Sequence, residues 1–303
     1  MSSLHPFEIA AADGKLIRGD RAEGKDRQIL FITGFLSKRW GNKSKALAQW
    51  CEENGWGFCC YDVRGFGDSE GTFTDYTLSD WIADARLVLK MMQDGRHLTH
   101  QPQALSHPPL HPPDPQARQD VPFSRGPSLS NQAPFPTDAP LPQITIVGNS
   151  FGGWIAWILA QECAAVEQLI LIAPAFNAIG VRATEIPAER RTRWRDTGWM
   201  PWDDEPLHKD WPLSWKWVEE SEAYWKTSFD PLRPVKTTIL HGLQDTVILP
   251  SGSSAFVEQL LSRDPAFPVE LHLVPGDHRL SGPEHLDTFR RLVLDAGGLK
   301  AEG

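Results

Sequence analysis

Six short apolar runs, at residues 29–33, 57–61, 144–147, 169–172, 238–241 and 269–274, are too brief to be core helices. They are also too uniformly apolar to be strands with one wet face. Such runs suit strands buried on both sides, the condition of a parallel sheet. Helical periodicity separates most of them. Ala46, Leu47, Trp50 and Cys51 share a face after Gly41. Trp81, Ile82, Ala85, Val88, Leu89 and Met92 recur at helix spacing after the start signal Thr77-Leu-Ser-Asp80. A last helix from about Pro283 turns Leu286, Phe289, Leu292 and Val293 inward. Before this alternation, residues 7–11 and 16–21 flank Asp13-Gly14, a hairpin signal. Strand–helix alternation predicts an α/β fold, a mostly parallel central sheet with helices on both faces.

Chemistry is concentrated where one of these strands meets a helix. Val147-Gly148-Asn149-Ser150-Phe151-Gly152-Gly153 follows the run at 144–147 and opens the apolar stretch from Trp154 to Ala160. This is the Gly-x-Ser-x-Gly nucleophile elbow in its expected context. A serine there sits in a strained turn, and glycines two residues to either side let neighbouring backbone approach without Cβ clashes. The turn presents Oγ above the sheet edge, with a helix N-terminus favouring negative charge. A serine hydroxyl needs a base, and the base needs an orienting acid. Both follow in chain order. The strand ending at His241 runs into Gly242-Leu-Gln-Asp245, and the strand at 269–274 runs into Pro275-Gly-Asp-His278. Ser150, His278 and Asp245 are the catalytic candidates. Asp277 also neighbours the histidine, but adjacent side chains point apart, which favours Asp245 as orienter. Two backbone donors must face the developing oxyanion. They are assigned to the amides of Phe151, directly after the nucleophile, and Phe35, in the Thr33-Gly34-Phe35-Leu36 loop.

Other strings carry less. Asp62-Val-Arg-Gly65-Phe-Gly67-Asp-Ser-Glu70 holds a Gly-x-Gly after a strand, but a dinucleotide loop needs a small residue where Glu70 stands. It reads as a structural turn shaping the site floor. Cys59 and Cys60 are adjacent in a strand and point to opposite faces, so with Cys51 and Cys163 they read as reduced residues of a cytoplasmic protein. With 39 acidic against 30 basic side chains and a net charge of −9, the molecule repels phosphate backbones, which argues against general nucleic-acid binding. No apolar run reaches the roughly 18 residues of a membrane span. The first residues show neither a signal peptide nor a mitochondrial presequence.

Two stretches interrupt the alternation. Residues 95–143 hold 12 of the 25 prolines and almost no periodic apolar pattern. They read as a disordered or extended surface insertion within the core. Its histidines, His97, His100, His107 and His111, have no accompanying cysteine or acidic ligand pattern, so composition bias is preferred over a metal site. Extended Pro-rich segments can dock on aromatic grooves of a partner, although an idle linker is the favoured reading. Residues 176–231 hold seven of the 13 tryptophans and read as a helical lid inserted between sheet strands. The rings either line an apolar site or form the lid's own core. The substrate-binding candidates are Gly34 and Leu36, with Trp199, Trp202 and Trp215 from this segment. Arg190, Arg191, Arg193 and Arg195 read as a solvated helix face, with attraction of an anionic substrate group the lesser alternative.

Gly148-Asn-Ser-Phe-Gly152, the string from Asp62 to Ser69, His241-Gly-Leu-Gln-Asp245 and Gly276-Asp-His-Arg-Leu280 together resemble the α/β-hydrolase superfamily. The resemblance spans almost the whole chain except the proline-rich stretch. Within that superfamily the chain is most similar to the mitochondrial acyl-glucuronide esterase and palmitoyl-protein thioesterase branch with its bacterial relatives. Three features carry this finer likeness: a Gly-Phe-Leu-Ser loop in place of the usual His-Gly, Asp-His-Arg-Leu around the histidine, and the Gly153-Trp154 pair. The resemblance implies Ser150 as nucleophile, Asp245 as orienter and His278 as base.

The expectation is therefore a hydrolase core of residues 1–175 and 232–303 carrying a lid at 176–231. It would cleave a carboxylic ester or thioester with a hydrophobic acyl or aromatic group, on a small molecule or an acylated protein. No metal or organic cofactor is required. Amide hydrolysis of the aminopeptidase kind is the enzymatic alternative, although no clamp for a peptide end is evident. A ligand-binding or interaction module is the non-enzymatic one, disfavoured because all three triad types are present. A dehalogenase would need Asp at the elbow, which Ser150 excludes.

Overall fold

The computed structural model describes residues 4–25, 27–94, 143–201 and 211–295, all within one compact unit. Its chain begins with a hairpin, β1 (His5–Ala10) and β2 (Leu16–Ala22), closed through Ala11 and Gly14 as the Asp13-Gly14 signal predicts. There follow β3 (Arg27–Ile32), α1 (Asn42–Asn54), β4 (Gly57–Tyr61) and α2 (Leu78–Gln93). After the proline-rich stretch, which lies outside the described residues up to Gln143, come β5 (Gln143–Asn149), α3 (Phe151–Glu162) and β6 (Val166–Ile172). The segment before the next strand forms α4 (Ala178–Glu185), α5 (Ala188–Thr197) and α6 (Lys216–Thr227). The chain then runs through β7 (Lys236–Gly242), α7 (Pro250–Arg263), β8 (Val269–Val274) and α8 (Pro283–Asp295).

Among the described residues the strands make one eight-stranded sheet, ordered β1-β2-β4-β3-β5-β6-β7-β8. The hairpin joins antiparallel at one margin, and the other six strands run parallel. The period of two along a strand divides each central run between two cores. Leu30, Ile32, Ile146, Leu169 and Leu171 face one cluster with Trp81 of α2, Trp154 of α3 and Phe256 of α7. Ile29, Phe31, Val147, Ile170 and Ile172 face another with Trp50 of α1 and Phe289 of α8. Cys59 and Cys60 fall on opposite faces, and all four cysteines are free thiols. This two-sided burial is why the central runs are apolar without alternation.

One strand departs from that rule. The run at 269–274 is expected to be buried on both faces, yet β8 lies at the sheet margin with Glu270 and Leu273 exposed. It has a neighbour on one side only, so its apolar residues cannot all be covered.

Helix starts follow local chemistry. Thr77 opens α2, and the Asp80 carboxylate accepts its backbone N–H at 2.9 Å. Glu220 of α6 reaches the same terminus, accepting from Ser79 N at 2.8 Å and from the Thr77 hydroxyl at 3.0 Å. α6 is thereby fixed to α2, and Ile179, Trp194, Trp217 and Val218 of the 176–231 segment join the core of α2 and α3. No described helix is long and apolar enough to cross a membrane.

Candidate active site

The elbow forms because β5 and α3 are joined by a single residue. Ser150 takes φ of +53° and ψ of −120°, a region that L-residues enter only under constraint. Constraint comes from both sides: Ser150 N donates to Ile172 O at 2.8 Å, and Ser150 O accepts from Gly153 N at 2.9 Å and Ala175 N at 3.0 Å. The flanking glycines are required by closeness. A Cβ on Gly152 would lie 2.3 Å from Thr33 O, and one on Gly148 would lie 2.6 Å from Gly152 O.

His278 Nε2 lies 3.0 Å from Ser150 Oγ, and His278 Nδ1 lies 2.7 Å from Asp245 Oδ2. Three side chains separated by up to 128 positions in the chain thus form one hydrogen-bonded line. They meet because β5, β7 and β8 are parallel and end on the same side of the sheet. The histidine's turn is stitched to the aspartate's: Leu243 N donates to Val274 O at 2.8 Å and Gln244 N to Gly276 O at 2.9 Å. Gly242 has no room for a side chain, since a Cβ there would lie 2.4 Å from Gly276 O. Asp277 takes no part in the line; it accepts from Arg279 N at 3.0 Å and Leu280 N at 3.2 Å, closing the turn beyond His278. Lys43 of α1 donates to Arg279 O from the far side.

Asp245 is 2% exposed. Its Oδ1 accepts from Val247 N and Ile248 N, each at 2.9 Å, and its Oδ2 from His278 and from His241 Nε2 at 3.1 Å. Burial works to raise its pKa, but the Ile248 amide, His278 and the Val247 amide outweigh it and hold the carboxyl below its ordinary value.

The loop after β3 approaches the nucleophile. A Cβ on Gly34 would lie 3.1 Å from Ser150 Cβ, and Leu36 takes φ of +51°. Phe151 is the first residue of α3, so its N–H has no acceptor within the helix. The Phe35 and Phe151 rings meet edge to face at 5.7 Å. Phe35 is also held by Trp81 at 5.6 Å and by Phe73 and Trp217, each at 5.9 Å. At the loop's other end Arg39 binds Asp20 at 2.7 Å, Asp68 at 2.7 Å and the buried Asp62, whose Oδ1 also accepts Arg39 N at 2.6 Å.

The segment from Asp62 to Glu70 is structural, as its sequence suggests: Arg64 pairs with the buried Asp84 at 2.6 Å and with Asp13 at 2.9 Å, and Glu70 accepts Leu16 N at 3.1 Å.

The 176–231 segment divides. Trp215 packs edge-on against the buried Trp194 at 5.4 Å, and Trp199 is 42% exposed with its backbone bridged to Ser214. Trp202 lies outside the described residues, as do the four histidines of the proline-rich stretch. Trp217 carries no distinguishing signal in the sequence, yet it reaches both Phe35 and Phe151, each at 5.9 Å. Its apolar face and helix spacing resemble those of any core tryptophan. His241 also reaches the site, on Asp245 Oδ2, and its only signal in the sequence is a polar residue ending an apolar strand run. Among the described residues no group of three or more His, Cys, Asp or Glu side chains could hold a metal ion.

The family model described as the alpha/beta hydrolase family matches residues 29–297. Over 251 residues the chain is 22% identical to the mitochondrial palmitoyl-protein thioesterase ABHD10 of Bos taurus, covering 80% of this chain but 65% of that protein's length. The solved mouse alpha/beta hydrolase domain-containing protein 10 superposes with a TM-score of 0.68 at 21% identity, over 97% of this chain and 98% of that one. Est1E from Butyrivibrio proteoclasticus, solved with ferulic acid bound, does so with a TM-score of 0.64 at 18% identity, over 96% and 97%.

Proposed function

This chain belongs to the alpha/beta hydrolase family, and on that premise we propose that it is a serine hydrolase cleaving a carboxylic ester or thioester with a hydrophobic acyl or aromatic group. The observation that carries the reading is the line Ser150 Oγ, His278 Nε2, His278 Nδ1, Asp245 Oδ2 on a positive-φ elbow.

In the first half-reaction Ser150 Oγ attacks the carbonyl carbon while its proton passes to His278 Nε2. The carbonyl π pair moves onto oxygen, which faces the Phe151 and Phe35 amides. As the tetrahedral adduct collapses, the alcohol or thiol leaves with the proton from His278, and an acyl-serine remains. Water repeats the sequence, and the acid departs. Asp245 holds the histidine in the Nδ1–H tautomer and stabilises the imidazolium. The carboxyl's depressed pKa keeps it ionised for this role.

Residues 176–231 act as a lid over this site within a core of 1–175 and 232–303. Trp217 supports that assignment, because it joins the segment to Phe35 of the loop after β3 and to Phe151 at the start of α3. The aromatic cluster of Phe35, Phe73, Trp81 and Trp217 packed beside the elbow supports an apolar acyl group. The bovine relative is named a palmitoyl-protein thioesterase and the Est1E structure holds ferulic acid, which support acyl thioester and aromatic ester as the two substrate classes to compare. Four free cysteines, three of them buried, support a reducing compartment such as the cytoplasm.

The test is hydrolysis of matched S-acyl and O-acyl substrates from about two to sixteen carbons, with Ser150→Ala as control. A rate maximum at long thioesters supports the deacylase reading, and a maximum at short or aromatic oxygen esters supports a general carboxylesterase. Loss of the Ser150 hydroxyl is expected to lower kcat on the order of 10⁶-fold. A variant retaining a tenth of the wild-type rate would exclude the mechanism, as would failure of Ser150 to be labelled by an organophosphonate.

A further inference from the structure

We infer that His241 is a positioning residue that donates a hydrogen bond to the carboxylate of Asp245 and sets how strongly that carboxylate pulls on His278. The inference rests on the triad reading above and goes beyond it, because it concerns a second imidazole on the same aspartate.

His241 is the penultimate residue of β7 and is completely buried. Its Nε2 lies 2.9 Å from Ile248 O and 3.1 Å from Asp245 Oδ2. A backbone carbonyl can only accept, so Nε2 carries the proton and shares it between these two oxygens. The tautomer then leaves Nδ1 with a lone pair, and Ser253 Oγ of α7 stands 2.7 Å from it, placed to donate. The ring is satisfied on both edges without taking up a charge inside the protein. A chain of donors results: Ser253 hydroxyl to His241 Nδ1, His241 Nε2–H to Asp245 Oδ2. Each bond polarises the next, so the serine strengthens the donor that reaches the carboxylate.

Asp245 Oδ2 therefore receives two imidazole N–H groups, one from each histidine. Electron density drawn toward His241 is not available to the His278 Nδ1–H. Removing the His241 donor leaves a more basic oxygen facing His278, which stabilises the imidazolium and raises the pH at which the general base becomes free. A residue that served only to pack β7 against α7 would not change that pH. Among the described residues the ionisable groups on and around the His278 turn keep their own partners under such a change: Asp277 accepts from Arg279 N, Lys43 of α1 donates to Arg279 O, and His285 of α8 lies 2.8 Å from Pro275 O. Around His241, the register partner on β8 is Leu273 and the α7 partner is Ser253. Among the described residues Asp245 is its ionisable contact.

The experiment is the pH dependence of kcat/KM on an activated ester for wild type, His241→Leu and Ser253→Ala, each checked for folding by its near-UV circular dichroism. The acid limb of this profile reports the free enzyme's base. It is expected to move upward by about half a pH unit in His241→Leu, the size of one modest hydrogen bond. In Ser253→Ala it moves in the same direction by less. If His241→Leu does not fold, the Ser253→Ala shift alone decides. An acid limb that stays within error of wild type in the folded variants overturns the proposal, whatever happens to their melting temperatures. Failure of the triad reading is recognised separately: there the wild type itself is not labelled by organophosphonate, and Ser150→Ala keeps its activity.

Discussion

Ser150 holds a backbone conformation costing roughly 1–3 kcal/mol, and the surrounding bonds to Ile172, Gly153 and Ala175 hold it there. Glycine tolerates φ of +53° without that penalty. Ser150→Gly is therefore expected to be inactive yet more stable than wild type by about 1 kcal/mol, read as a rise of a few degrees in Tm. A lower Tm would mean that the elbow is not strained. At this scale the sequence is unusually explicit. Gly148 and Gly152 sit where any Cβ would strike backbone, so the positions admit almost no alternative and the pattern survives as a legible string. Asp245 and His278 are legible for a different reason, since each follows a strand end in the order the fold demands. His241 is not, because its role depends on which way a strand residue faces and on a helix that arrives later in the chain.

Among elements, the α6 helix is the instructive one. Its sequence marks tryptophans without saying which of them meets the site. Sequence-selected Trp215 lies against Trp194, whereas Trp217, two positions on, is 1% exposed and touches Phe35, Phe73, Trp81 and Phe151. A shift of two residues turns a helical side chain by about 200°, and nothing local decides which face docks. Trp217→Ala is expected to cost roughly 3–5 kcal/mol in urea unfolding. It should also lower kcat/KM more than Trp225→Ala, whose ring packs on Phe229. Equal kinetic losses in the two variants would show that Trp217 has no particular hold on the loop of Phe35. β8 illustrates the converse limit: Glu270 and His272 interrupt its apolar residues, yet its place at the margin is seen only in the order of pairing.

For the molecule as a whole, the parallel sheet separates its two ends. The strand C-termini carry the hydrogen-bonded line of Ser150, His278 and Asp245, and the N-termini carry a structural clasp centred on Arg27. That guanidinium, 7% exposed, donates to Thr145 at 3.0 Å, Gln168 at 2.8 Å and Val293 O at 2.9 Å, so that one side chain ties β3, β5, β6 and α8. It also lies 4.8 Å from the Trp56 ring centroid. Burial pushes its pKa down to about 10, still well above neutrality, so it remains charged. Arg27→Met leaves buried acceptors without a donor and is expected to cost roughly 3 kcal/mol of stability. With the site at the opposite strand ends, kcat should stay within a factor of two of wild type at temperatures where the variant is folded. A large kinetic loss would mean that the ends are coupled. The fold class was legible because two-sided burial writes itself into composition run by run. The clasp was not, since a lone arginine before a strand looks like any surface charge.

The marginal place of β8 also has a meaning in time. A ribosome makes Ser150 long before it makes His278, 128 residues later. On the proposed mechanism a growing chain that has completed β5 and its elbow still carries an inert hydroxyl, because His278 rides on the turn after the sheet's outermost parallel strand. On that mechanism, docking of β8 beside β7 completes the catalytic line, and turnover reads out whether that strand has found its place.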